Sequence, residues 1–173
     1  MSLSSSAKRK VINIILLIMV VVLAWLVYSQ LQKDQAGAET LYHESIGDSV
    51  QRLEIALPGK ETLMIESGGN ESDVWNITQP VMGIASKQAL QQLFTLLGEP
   101  VLAEYSAMGK DLDDFGLAAS SIRVRFNSVE YRLGKLNPVN HQRYILLNDK
   151  ILMVNEAVYE LVQLGVDGFK GKD

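Results

Sequence analysis

Asp111-Leu112-Asp113-Asp114-Phe115-Gly116-Leu117 places three carboxylates within four residues, directly before an aromatic and a glycine. Two chemistries use such clusters. A calcium loop of the EF type needs oxygen ligands at alternate positions, a central glycine and a glutamate at position twelve. Counting from Asp111, position twelve is Ile122, and the alternation breaks at Asp114. Paired acids for hydrolysis need burial to separate their pKa values, and three acids beside Lys110 describe a solvated turn instead. The spacing predicts a short polar turn with Leu112 and Phe115 inward at i and i+3, and Gly116 at positive φ. Burial of Asp113 or Asp114 would reopen an enzymatic reading.

The other reactive residue types are sparse. His43 and His141 stand alone, without the H-x-x-x-H or H-E-x-x-H spacing of a zinc site. There is no cysteine, which excludes thiolate catalysis and Cys-based metal sites. There is no G-x-S-x-G, and Gly68-Gly69 is not followed by the G-K-[ST] of a phosphate loop. No catalytic, cofactor or metal residue is assigned. The remaining candidates are arginines. If Asn127-Ser128 is a two-residue turn, Arg125 falls opposite Glu130 and Arg123 opposite Arg132, and like charges in register repel. With Arg143 they make a candidate partner- or anion-binding face, and a solvated outer sheet face screened by salt is the alternative.

These side chains must be positioned by the elements around them. Val11 to Tyr28 reads VINIILLIMVVVLAWLVY, without charge. About 18 helical residues span roughly 27 Å, close to a bilayer core. Trp25 and Tyr28 sit at the far end, as in an aromatic belt, and Lys8, Arg9 and Lys10 precede the run. This predicts a single-pass anchor with a cytoplasmic tail over 1–10 and everything after Tyr28 on the other side. The segment has no G-x-x-x-G face, and Asn13 is its one amide. Ala36-Gly37-Ala38 resembles a signal-peptide cleavage site but lies well past the apolar run. Lys8, Arg9 and Lys10 are the only charges before Ser29, so of 16 basic and 20 acidic residues, 13 and 20 follow it, a formal −7. That balance repels phosphate backbones and argues against nucleic acid.

Residues 29–49 read as a polar stalk, 50–165 as the folded domain, and 166–173 as a frayed tail. Leu53, Ile55 and Leu57, then Leu63 and Ile65, alternate as a hairpin around Pro58-Gly59. Val74 to Thr78 makes a third strand. Ser86 caps a helix whose stripe is Ala89, Leu90, Leu93, Phe94 and Leu97, and Gly98 and Pro100 stop it. Val101 to Tyr105 returns as a strand. Hairpins follow around Asn127-Ser128 and Asn148-Asp149-Lys150, and Asn155 is expected to cap a last helix. Strands in runs with helices between them predict an α+β fold with a mostly antiparallel sheet and two amphipathic helices. The two helices look alike, which fits either a repeated strands-then-helix unit or ordinary amphipathicity.

Trp75-Asn76-Ile77-Thr78-Gln79-Pro80, a helix shortly after it, the Phe115-Gly116-Leu117 segment, Leu133-Gly134 and Arg143-Tyr144-Ile145 occur in an order that resembles a bacterial family, domain of unknown function number 4340. The resemblance covers about 50–162. It marks Trp75, Pro80, Phe115, Gly116, Leu117, Gly134 and Tyr144 as structural signature residues. One departure is Ser120, where that family usually carries proline. The family has no established catalytic residues, and its members are envelope proteins often near ABC-type transport components of gliding-motility type. The resemblance thus implies a non-catalytic inner-membrane accessory or scaffold subunit, with a periplasmic domain and a protein partner in a membrane complex. The alternative is a periplasmic module that binds a small anion, lipid head group or glycan.

Overall fold

The computed structural model describes residues 13–26, 39–47, 49–69, 74–155 and 157–171. They fall into two units, divided after Ala38. In the first, a helix α1 runs over 13–26, and every described side chain on it is exposed. Among the described residues no helix is long and apolar enough to cross a membrane. The ends of the expected 11–28 span, the 1–10 tail and the 29–38 part of the expected stalk lie outside the described residues.

The second unit is α+β. Among the described residues nine strands form one sheet in which every neighbouring pair is antiparallel: β1 (Arg52–Ala56), β2 (Leu63–Ser67), β3 (Trp75–Gln79), β4 (Gly83–Ile84), β5 (Ala103–Ser106), β6 (Ile122–Phe126), β7 (Val129–Leu136), β8 (Arg143–Leu147) and β9 (Lys150–Val154). The spatial order is β4-β3-β2-β1-β6-β7-β8-β9-β5. Two four-strand meanders therefore meet at β1 and β6. Each is followed by a helix: α2 (Lys87–Phe94) after the first, α3 (Tyr159–Gln163) after the second. The likeness of the two helical sequences thus coincides with a repeated strands-then-helix order.

One sheet face carries the main core. Leu53, Ile55, Leu63, Ile65, Ile77, Val124, Phe126, Tyr131, Leu133, Ile145 and Val154 point at Ala89, Leu90, Leu93 and Leu96 of the first helical stretch and at Val158, Val162 and Phe169. Ser86 caps α2 as expected, its Oγ accepting from Ala89 N–H. Asn155 is not the cap of the last helix: α3 begins at Tyr159, behind Val158, which supplies no capping side chain. The folded unit is also longer than 50–165 at both ends. Leu41 and Ile46, in the expected stalk, are core residues. Phe169, in the expected frayed tail, sits on α4 (Val166–Phe169) and is fully buried. Both stretches are too short to show a period, and single buried anchors order them.

The opposite sheet face is divided. Over β1, β6 and β7 it is charged and open. Over β8 and β9 it is covered by a second cluster in which Leu117, Leu146 and Ile151 are buried, with Ala107, Leu112, Phe115 and Tyr144 around them. These two strands are therefore buried on both faces, and their unbroken apolar runs, YILL and ILMV, follow from that.

Candidate functional site

The acidic segment packs over this second cluster. Asp111 caps a 3₁₀ turn (Leu112–Phe115), its carboxylate accepting from Asp113 N–H at 3.0 Å, and Gly116 ends the turn at φ 67°. Asp111, Asp113 and Asp114 are exposed, whereas Leu112 and Phe115 pack inward. Phe115 meets Tyr144 edge-on at 5.1 Å between ring centroids. Gly116 and Gly134 let two backbones touch. A Cβ on Gly116 would lie 2.9 Å from Lys135 N, and one on Gly134 would collide with Phe115 O and with Leu117 Cδ2 at 2.9 Å. Five of the seven signature residues, Phe115, Gly116, Leu117, Gly134 and Tyr144, thus form one packing unit. Among the described residues no three acids or histidines are grouped to hold a metal.

The four arginines do not share a face. Arg123, Arg125 and Arg132 lie on the open charged face, in the register expected: Arg123 opposite Arg132, Arg125 opposite Glu130. Arg125 bonds Glu54 at 3.0 Å and Glu130 at 2.8 Å, and Arg132 bonds Glu130 at 3.1 Å. Burial pushes the Glu130 carboxyl up, but the hydrogen bonds from Arg125 and Arg132, with their charges, hold it below the usual carboxylate range. Arg143 shares the main-core face with Ile145 and Leu147, because alternate residues of a strand point the same way. It is buried, donates to Gly134 O at 2.7 Å, and stacks 3.6 Å from the Tyr159 ring centroid. Arg125 and Arg132 are thus compensated within the sheet, and Arg143 ties β7 and β8 to α3.

The open apolar feature lies elsewhere, at the helix-side edge of the main core. A crevice of about 300 Å³ is lined by Tyr42, Ile46, Gly47, Ser49, Val50, Trp75, Phe94 and Leu97. Trp75 and Phe94 lie 5.6 Å apart, and the aromatic series continues through Phe126 at 6.1 Å to Tyr131 at 5.8 Å. The other wall, 42–47 and 49–50, carries one 3₁₀ turn (Glu44–Ile46) and is held from the β6–β7 turn. Asn127, at φ 53°, accepts from Gln51 N–H and Arg52 N–H and donates to Ile46 O and Ser49 O. Ser128 Oγ donates to Ser45 O, and the Tyr131 hydroxyl donates to Leu41 O. Burial raises the Tyr131 hydroxyl pKa, so it stays a neutral donor.

Of the crevice, sequence reasoning had only Trp75, singled out as a signature residue, with Phe94 and Leu97 read as core stripe. Tyr42, Ile46 and Val50 were missed because the wall has no period. The signal that existed was Asn127: an asparagine at a tight turn is chosen for positive φ, and its amide is then free to gather neighbouring backbone. No family model, curated protein or solved structure matches the chain.

Proposed function

We propose that the protein is a non-catalytic accessory subunit of a bacterial envelope assembly, anchored in the inner membrane with its α+β domain in the periplasm. The observation that carries this reading is the aromatic-lined crevice. A pocket of this size, formed by Tyr42, Trp75, Phe94 and Leu97 and open to solvent, fits an apolar anchor side chain from a partner protein. Anchoring rests on the uncharged 11–28 run and the preceding Lys8, Arg9 and Lys10. It is supported by α1, which is apolar on every side after Asn13, a pattern suited to an apolar medium. The resemblance to the 4340 family supports a partner among transport components.

The test is purification of the full-length protein from its own membrane in mild detergent, with mass spectrometry of what accompanies it, for wild type and for Tyr42→Glu, at an exposed side chain of the crevice wall. A stoichiometric membrane partner that follows the wild type and is lost from Tyr42→Glu, while the variant still melts cooperatively, is expected. A partner retained equally by both, or none with either, would overturn the reading.

A second reading keeps one specific observation. Arg123 is exposed, faces Arg132, and has no acidic partner among the described residues; it lies beside Thr62 in a shallow depression of about 210 Å³ whose other polar walls are Arg125 and the two glutamates it bonds, Glu54 and Glu130. A small anion would be held there. A phosphate-induced rise in melting temperature, abolished by Arg123→Ala, would favour it.

A further inference from the structure

The sheet has two ends, and the chain treats them differently. Beyond β4, residues 169–171 close the edge: Ser86 N–H donates to Phe169 O, Gly171 N–H donates to Ile84 O, and Ala85 bridges Lys170. Beyond β5, among the described residues, no strand follows; residues 39–41 bond to 99–101 through the Thr40–Pro100 bridge and stop short of β5 itself. Ala107 N–H donates inward to Asp149 O. Ala103 and Tyr105 share its parity, so the N–H and C=O of Glu104 and Ser106 face outward. Leu102 and Tyr105 are each 44 % exposed here, and Met108 is 85 % exposed. An open edge with exposed apolar side chains is a template for strand addition.

We infer that this edge pairs with the same edge of a second copy, β5 against β5 across a two-fold axis at Tyr105. Charge selects both the occupant and the register. Glu104 and Lys150 bond at 2.9 Å along the edge, both part-exposed. Lys150 lies in register with Ser106. Setting Glu104 of one copy opposite Ser106 of the other turns the outward N–H and C=O groups into a bonded pair. It also puts each copy's Lys150 in line with the other's Glu104, with only a small serine between them. Sliding the strands to set Glu104 opposite Glu104 would instead bring carboxylates together, which is unfavourable. The favoured register places the two Tyr105 residues at a non-hydrogen-bonded position, where Cα atoms approach to about 4.5 Å. This self-association is independent of what fills the crevice.

The chain has no cysteine, so introduced thiols report without background. Tyr105→Cys in the full-length protein, oxidised in native membranes, is expected to give a disulfide-linked species of twice the monomer mass, since that spacing suits a disulfide. Met82→Cys, 86 % exposed at the opposite end of the sheet, is expected to stay monomeric. Adding Ser106→Pro, which removes one outward N–H, is expected to abolish the Tyr105→Cys dimer. A monomeric Tyr105→Cys protein, equal cross-linking at Met82→Cys, cross-linking that survives Ser106→Pro, or a Tyr105→Cys adduct with a different protein would each overturn the inference.

Discussion

Gly134→Ala should unseat the second core. The new methyl would meet Phe115 O and lie 2.9 Å from Leu117 Cδ2 and 3.0 Å from Leu117 Cγ. One of these neighbours is backbone and the other belongs to a fully buried leucine, so neither yields as a flexible surface side chain would. Overpacking of this kind costs about 1–3 kcal/mol, and the backbone clash puts this case near the upper end. Gly98→Ala is the control: nothing lies within 4 Å of its built Cβ and its φ is ordinary, so it should be neutral or slightly stabilising. Gly116→Ala should fall between neutrality and Gly134→Ala or match the latter, since it combines φ 67° with a Lys135 N contact of 2.9 Å. Urea unfolding of the full chain in detergent reads the midpoint. In a thermal scan, about 2–3 kcal/mol should lower Tm by roughly 6–15 °C for a domain of this size. A Gly134→Ala protein indistinguishable from Gly98→Ala would refute the packing argument for the Phe115–Leu117 segment.

Three further outcomes follow from the same contacts. Asn127→Gly keeps the positive φ but removes the amide that holds Ile46, Ser49, Gln51 and Arg52; faster amide exchange across 45–52 and a stability loss of about 2 kcal/mol are expected. Arg143→Met leaves the Gly134 carbonyl without its buried guanidinium donor and removes the stack on Tyr159, and denaturant titration should show a loss of about 2–3 kcal/mol. Glu130 has its folded pKa lowered. Its contribution is therefore complete above the ordinary glutamate range and is lost as pH falls through the folded value. Tm of the wild type should fall more steeply below about pH 5 than that of Glu130→Gln, while at pH 7 the variant should be less stable by about 1–2 kcal/mol after allowing for solvent screening.

Much of the sheet was readable because its strands alternate. Leu53-Glu54-Ile55, Ile122-Arg123-Val124 and Val129-Glu130-Tyr131 each show one buried and one open face, and the Arg123–Arg132 and Arg125–Glu130 pairs follow once Asn127-Ser128 is the turn. Two-residue β4 offers too little length for any period, and its partners are 76–77 and the remote 169–171. Arg143 was placed with the other arginines by charge, but strand parity sends it to the helix side, where Tyr159 and the Gly134 carbonyl receive it. The crevice was the least legible part. Its wall is ordered by Asn127, Ser128 and Tyr131, which lie more than seventy residues downstream, so nothing within 42–50 announces it.

The claim that the crevice receives a partner's apolar side chain is tested most directly by site-specific photo-cross-linking. A photoreactive amino acid at Leu97, half-buried in the crevice lining, and another at Met108, exposed in the loop after β5, would be activated in intact native membranes. The account predicts one discrete adduct from position 97, with a single envelope protein, and none with that protein from position 108. No adduct from position 97, or the same adduct from both positions, would contradict it.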